Sequence, residues 1–556
     1  MPYLTTKRKN QRNYLYLEEK ARINGKVRRV NQIYLGPEDQ LDKRKISAIL
    51  SKFNDDIELA HVPFGISAAV WQIACEIDLP GKIDAVAGKS RHQNLTLGEY
   101  MTIAAINRLA GPCSKRQLPT WFAKDWLHFK YDVDPKVLNA QTYWNHFQAL
   151  DDKKITEIEL AINKVVIDTF KLDIEHLLFD PTNFYTFSRS VKRTKLLWPG
   201  HSKENRSGLR LVNYSLLCTR DHGVPLMHHA YPGNDQDAKA FKKVPKQVAD
   251  RIKALGSDPA NITLVFDKGN HSPKAFKALD GKQIGFIASA RNSMLKDLLH
   301  VADDKFTKAI LPVSGKAVEY YKTKRKFYND ERTIFVIIDP AKRKKQVIDF
   351  QAKLKKKIKN IKAYFKNRLN NADWSDKAVV EKKVASMIGR APFVAVIVAV
   401  VSGPDGNLTL DVTVDKIAQA THEETLGRSI IFTNRHDWTP EEVIWSYREQ
   451  YVVEHAFREM KCPHTIAIRP MYHRADACVR AHVFTCVLAL LLLSLLRLKL
   501  ARNNMPGTYD SILDTLRTVD IIKIFLTPGA TPLLKLAQLS PDAKKIAQFL
   551  KLKKLV

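Results

Sequence analysis

The sequence predicts an α/β protein: a mixed sheet covered by helices, interrupted by a β-rich insertion and preceded by a helical region. Three observations carry this. Residues 65–171 are helical in pattern, whereas from 172 the texture changes to short apolar runs joined by turn signals. Those runs begin as hairpin-linked strands and then alternate with helical segments, which is the pattern of a mixed sheet. The 556-residue chain is 45% hydrophobic, enough for real cores in about three or four domains.

The elements follow in chain order. YLYLEEKARINGKVRRVNQIYLG (14–36) holds two strand-like runs around Asn24-Gly25, a strong hairpin signal. Its cations suit a nucleic-acid backbone or a solvated hairpin face equally. IAAINRLAGPCSKRQLPTWF (103–122) breaks at Gly111-Pro112 and resumes after Ser114, a helix–turn–helix outline. LDIEHLLFDPTNFYTF (172–187) is a strand ending near Asp180-Pro181. LRLVNYSLLCT (209–219) and VPLMHHAY (224–231) flank Asp221-His222-Gly223, a second hairpin. NITLVFDKGNHS (261–272) is an apolar strand ending at Asp267-Lys268-Gly269, and IGFIASA (284–290) is a fifth strand.

Residues 293–439 then interrupt the plan. Between 341 and 368 lie twelve Lys/Arg against one Asp, with Val347, Leu354 and Ile361 recurring every seven residues. That is a basic amphipathic helix, able to pair with another helix or to lie along a phosphate backbone. PFVAVIVAVVSGPDGNLTLDVTV (392–414) reads as a β-hairpin turning at 403–406, and GRSIIFTN (427–434) as one more strand. Thr439-Pro440 with Glu442 starts a helix. The tail, 501–556, reads as helical, with Ser540-Pro541-Asp542 starting its last helix. The expected segments are a hairpin region (1–60), a helical region suited to binding DNA ends (61–171), a first core part (172–292), an insertion (293–439), a second core part (440–500) and a helical tail (501–556).

Charge and cysteines narrow the function. The net charge is +32, from 90 Lys+Arg against 58 Asp+Glu. Such an excess points to a polyanionic partner, most simply nucleic acid, although an acidic membrane surface or ribosomal RNA would also attract it. The six cysteines lack paired spacing and read as reduced thiols in the cytoplasm. The N-terminus has no apolar run of the signal-peptide kind. AHVFTCVLALLLLSLL (481–496) is strongly apolar but shorter than the ~20 residues of a span, so a buried core helix and no membrane is expected.

The chemistry is sought among carboxylates. YREQYVVEHAFREMK (447–461) carries Glu449, Glu454 and Glu459. On one continuous helix, Tyr447, Gln450, Glu454, Arg458 and Lys461 share an arc of roughly 80°, beside an apolar stripe of Val453, Phe457 and Met460. Glu454 thus has organised company, while Glu449 and Glu459 read as ordinary surface charges. Glu454 and Arg458 also form an i,i+4 pair, which alone explains both as a helix stabiliser. Asp180 and Asp267 each end an apolar strand, where a sheet presents chemistry, and each also reads as a plain turn. Three carboxylates brought to one sheet edge would repel one another unless divalent cations joined them, and oxygen-only ligands suit Mg²⁺ or Mn²⁺.

Strand–Asp, strand–Asp-Lys-Gly and Tyr-x2-Gln-x3-Glu-x6-Lys together resemble the DDE transposases of bacterial insertion sequences. More narrowly, they resemble the branch with a Tyr-x2-Arg-x3-Glu-x6-Lys signature and a β-rich insertion before the glutamate. Tyr447, Glu454 and Lys461 match that spacing, while Gln450 stands where the signature has Arg; Arg448 or Arg458 could supply the missing cation. YLYLEE, NRLAGPCSKR, LLFDPTNFYTF, PGNDQD, VFDKGNHS and IRPMYHR extend the resemblance over most of the chain. It implies a ribonuclease H-like mixed five-stranded sheet with helices on both faces. It implies Asp180, Asp267 and Glu454 as catalytic ligands of two Mg²⁺ (or Mn²⁺) ions, and Tyr447, Gln450, Arg458, Lys461 and Lys268 as DNA contacts. The implied partners are double-stranded DNA, as terminal inverted repeats and as target, and a second copy in a synaptic homodimer at the nucleoid. An inactive or repurposed DNA-binding protein of the same fold, or a structure-specific nuclease, is the alternative. Trp374 and Trp438 are candidates to stack an extruded base, or core residues.

Two further signals are weaker. GKIDAVAGKS (81–90) has six residues between its glycines, where a phosphate-binding loop needs four. Cys478, His482 and Cys486 share a helical face, with Cys462 or His473 as a possible fourth zinc ligand, but core packing explains them better.

Overall fold

The apolar run at 481–496 lies within one helix, Asp476–Ala501, around which much of the chain packs. This helix is long and apolar enough to cross a membrane, yet 89% of its most apolar window is buried inside the protein. In this computed structural model, residues 2–9, 12–23, 26–38, 58–88, 94–188, 194–204, 206, 208–312, 314–525 and 533–556 are described. The chain divides into two units, Met1–Gln236 with Asp250–Ser257 and Tyr451–Val556, and Asp237–Ala249 with Asp258–Gln450.

The first unit opens with strands β1 (Pro2–Lys9), β2 (Arg12–Ile23) and β3 (Lys26–Pro37), an antiparallel sheet in that order. Ile23 pairs with Lys26, the spacing of a two-residue hairpin, although Asn24 and Gly25 themselves lie outside the described residues. Strand β1 was not legible in the sequence because its segment is cation-rich. Cross-strand contacts hold it: Lys7 bonds Glu18 at 2.7 Å and lies over the Tyr16 ring. Strand β4 (Glu58–Pro63) pairs with Asp520–Phe525, which pairs in turn with Leu533–Leu536. The tail is therefore not helical throughout. The apolar, β-branched run at 520–525 takes a strand because β4 offers it a partner.

Helices Gly65–Glu76, Leu97–Ala110, Ala140–Gln148 and Asp152–Phe170 pack on the Asp476–Ala501 helix. Thr96 and Glu99 close a reciprocal cap on the second of these. The chain leaves it at Gly111 and resumes helix at Leu118. Of the rejected phosphate loop, Lys89 and Ser90 lie outside the described residues.

Next come β5 (His176–Thr186), β6 (Trp198–Pro199), β7 (Arg210–Thr219) and β8 (Pro225–Pro232), all antiparallel, with β7 central. His222 and Gly223 both have positive φ in the β7–β8 turn, as the sequence signal requires. Strand β5 does not end at Asp180-Pro181. It continues to Thr186, with Asp180 opposite Leu216 in its middle. The long ladder with β7 and the burial of residues 181–184 outweigh the local Asp-Pro turn preference.

The second unit holds β9 (Thr263–Phe266) and β10 (Gly285–Ser289), which are parallel and joined through the helix Pro273–Gly281. Strands β11 (Thr307–Ile310), β12 (Ala317–Phe327) and β13 (Asp330–Ile338) follow. After β14 (Ile397–Ser402) and β15 (Thr409–Val414) comes β16 (Arg428–Thr433). The sheet order in this unit is β11-β12-β13-β16-β10-β9, mixed because β9 and β10 alone run parallel. Four strands from the expected insertion thus extend this sheet. What packs separately is the helix Pro340–Phe365, the helix Lys377–Ile388 and the β14–β15 hairpin, around Leu354, Ile361, Val380, Val396 and Val412.

Candidate active site

Within the first unit, Asp180 and Glu454 line one cleft together with Thr182, Phe457, Arg458, Lys461 and Cys462. Its volume, ≈ 590 Å³, is that of a small-ligand or nucleotide-sized site. Asp180 and Thr182 come from alternate positions on β5 and so share a face. Glu454, Phe457, Arg458 and Lys461 come from the helix Tyr451–Lys461, whose apolar side buries Val453, Ala456 and Met460. The donors Asp180 and Glu454 offer are hard oxygens, which fit a cation of the Mg²⁺ class. Among the described residues there is no cluster of three or more His, Cys, Asp or Glu side chains placed to hold a metal.

Lys461 is held in place. Its ammonium donates to Thr182 Oγ1 at 2.9 Å and lies 3.4 Å from Glu204 Oε1. Glu204 is also the partner of Arg469. Burial pulls the Lys461 pKa down and Glu204 pulls it back up, while Arg469 and Lys203 add to the lowering. Arg458, by contrast, has a side chain 65% exposed, so it is the accessible cation of the cleft. Thr182 could have been found from its period-2 spacing to Asp180. Glu204 carries no local signal.

The stretch 447–461 is not one helix. The first helix, Pro440–Arg448, closes with Glu449 as its C-cap, and the second begins at Tyr451. The Gln450 N–H donates to the Tyr447 carbonyl three residues back at 3.2 Å, a tightened last turn that ends the first helix without glycine or proline. The shared arc of Tyr447 and Glu454 therefore does not hold. Gln450 is buried, and Arg448 lies 3.6 Å from Asp339. Glu459 is no surface charge either, since its side chain is 3% exposed. Its helix face is covered by the returning chain, where Thr465 donates to the Glu459 carbonyl. Burial raises the Glu459 pKa, with Asp510 adding to the rise and Arg458 and Thr465 opposing it.

Within the second unit, Asp267 follows β9 and lines a polar cleft of ≈ 820 Å³ with Lys268, Ser289, Arg291, Lys342 and Tyr447 among others. Pairing of Ala288 with Phe266 sets Ser289 level with Asp267. The Ser289 hydroxyl donates to Asp267 Oδ1, while its oxygen accepts from the Lys268 N–H at 3.0 Å. The Tyr447 hydroxyl donates to the same Oδ1 at 3.4 Å. Tyr447 thus faces a carboxylate, and Oδ1 is the oxygen both donors take. Ser289 closes an apolar strand in the sequence, and only the parallel register reveals its neighbour. Nearby His271 is buried with its Nδ1 against the Tyr328 hydroxyl at 3.1 Å; burial, aided by Arg291, pushes it down to about 4.

Trp374 packs in the second unit's smaller core, edge-on to Phe365 and Tyr364. Cys478 and Cys486 are buried, and His482 uses both ring nitrogens. Its Nε2 contacts the Ile468 carbonyl at 3.0 Å and its Nδ1 the Lys115 ammonium at 2.8 Å. That accounts for the Cys-x3-His-x3-Cys spacing by packing and hydrogen bonding.

Residues 171–492, more than half the chain and a span that includes Asp180, Asp267 and Glu454, match the family described as transposase DDE domain. No curated protein matches the chain. Among solved structures, the cryo-EM structure of a piggyBac transposase synaptic complex with hairpin DNA is similar at 9% identity and a TM-score of 0.35. The similarity covers 82% of this chain and 76% of that one. A TM-score of that size carries no structural argument.

Proposed function

The chain belongs to the transposase DDE-domain family, and from that premise we propose that it binds the terminal inverted repeats of an insertion sequence, cuts DNA strands there and joins them to target DNA. Asp180, Asp267 and Glu454 are the catalytic carboxylates in this reading. The observation that carries it is the cleft in which Asp180 and Glu454 meet beside Lys461 and Arg458, inside the matched span.

The oxygen donors of Asp180, Glu454 and Asp267 are the residues to hold Mg²⁺ or Mn²⁺, two ions in the proposed reaction. When bound, such ions supply activation of the attacking water or 3′-hydroxyl and stabilise the leaving oxygen. Lys461, tied to Thr182 and Glu204, keeps a fixed positive charge in the cleft. Arg458, being exposed, meets a DNA phosphate, the task expected of a cation at Gln450. Ser289 and Tyr447 hold the Asp267 carboxylate in one rotamer. As the resemblance to bacterial insertion-sequence enzymes implies, the acting species is a homodimer on two element ends, in the cytoplasm at the nucleoid.

The test is Mg²⁺-dependent cleavage and joining of duplexes carrying the element's terminal repeats. Asp180→Ala and Glu454→Gln should each fall to the uncatalysed background while still binding the repeat. Retained activity in either variant would sink the assignment, and cleavage without joining would favour the nuclease reading.

A further inference from the structure

The helix Pro340–Phe365 carries eight exposed lysines between Lys342 and Lys362, and one acidic residue, Asp349. At about 100° per residue, they occupy the half of the helix facing away from Leu354 and Ile361. The apolar half is already used. Phe350, Leu354, Ile361 and Phe365 are buried in the core formed with the helix Lys377–Ile388 and the β14–β15 hairpin. We infer that this lysine face is a docking surface for the sugar–phosphate backbone of duplex DNA, contacted without reading the base sequence.

Each other use of a basic amphipathic helix requires something this one lacks. Pairing with another helix or lying in a membrane surface needs a free apolar stripe, and the stripe is consumed within the fold. A protein interface depletes lysine and is anchored by aromatic or arginine side chains. Here the outward face holds lysine and alanine together with Asp349 and Asn360, with Ile348 its one strongly exposed large apolar residue. The helix's single arginine, Arg343, is bound by Asp303 at 2.9 Å. Lysine is a point charge that positions a phosphate, whereas arginine forks are the usual readers of guanine edges.

Dimensions agree. From Lys342 to Lys362 the helix rises about 30 Å, close to the ~34–36 Å of one DNA turn. The face therefore adds length and salt-sensitive affinity to DNA held elsewhere on the protein. The identity of the polyanion rests on the transposase reading; the surface itself does not depend on catalysis.

The experiment uses the full chain in EDTA, where no metal-dependent cutting occurs, and a fluorescent duplex of arbitrary sequence titrated across salt concentrations. Replacing Lys344, Lys355, Lys359 and Lys362 by Gln should lower the slope of log K against log salt by about 3 to 4 and weaken binding at least about tenfold at low salt. The same four positions as Arg should restore slope and affinity, and the thermal midpoint of both variants should match the parent because all four side chains are exposed. Cleavage of terminal-repeat duplexes in Mg²⁺ is assayed separately on the parent: its failure with the slope change intact overturns the catalytic reading and leaves this inference standing. A Gln variant with the parent slope and affinity overturns the inference.

Discussion

Ser289 shows how much a single hydroxyl can organise. It donates to Asp267 Oδ1 and accepts from the next residue's N–H, locking the carboxylate to the backbone that carries it. Tyr447 adds a longer bond to the same oxygen. If Asp267 is a metal ligand, Ser289→Ala should cut strand cleavage about 10- to 100-fold and raise the Mg²⁺ concentration for half-maximal rate. Tyr447→Phe should do less. A rate loss with no change in Mg²⁺ dependence would mean Ser289 only packs. Asp125 makes a second residue-level prediction. It is 1% exposed, accepting from the Ser67 hydroxyl at 2.7 Å and the Leu127 N–H at 3.0 Å. Burial outweighs both bonds and pushes its pKa up to about 7. The native state thus keeps a proton that the unfolded chain releases near pH 4. Stability contributed here is present at low pH and lost as pH rises toward 7, with a slope of up to about 1.4 kcal/mol per pH unit. Asp125→Asn should remove that slope between pH 5 and 7 in urea denaturation; an unchanged slope would refute it.

At the level of elements, the useful contrasts are where local signals won and where they lost. The hairpins at 209–231 and 397–414 formed where turn residues and flanking strands agreed, and the strands within 14–36 pair as expected, whereas Phe393–Val396, expected as strand, is helical. Strand β5 ran through Asp180-Pro181 because ten paired residues on β7 outweigh one turn dipeptide. The stretch 447–461 broke in two through a tightened turn that no residue type announces. Residues 520–525 became a strand because β4, more than 450 positions earlier, offered an edge. Tyr447, Glu454 and Lys461 were therefore legible as candidates, but their arrangement was not. Tyr447 bonds Asp267, Glu454 shares a cleft with Asp180, and Lys461 bonds Thr182 and lies against Glu204.

At the scale of the whole chain, the first unit is built around the Asp476–Ala501 helix. Composition marked it as a core helix or a membrane span, and its burial against six other helices decides that it is core. Leu492 is fully buried on it. Leu492→Ala should destabilise that unit by about 2–5 kcal/mol, read as a lower midpoint in chemical denaturation. A shift under about 0.5 kcal/mol, the scale of surface substitutions, would contradict the hub role. The net charge of +32 is spread unevenly in the same sense. A concentrated share stands on one helix whose other face is buried.

By itself the sequence determined which segments are strands and helices wherever local periodicity and turn chemistry agree. Its charge pointed to a polyanionic partner, and its strand ends and helix pattern to Asp180, Asp267 and Glu454 as candidate carboxylates. Tertiary structure alone decided which side chains meet. Strand register set Ser289 beside Asp267, the fold of β5 on β7 put Thr182 under Lys461, and core packing turned Glu459 inward and left the lysine face outside. The physical reason is that periodicity is a property of neighbours in sequence, whereas register and burial depend on partners the chain finds only when it closes on itself.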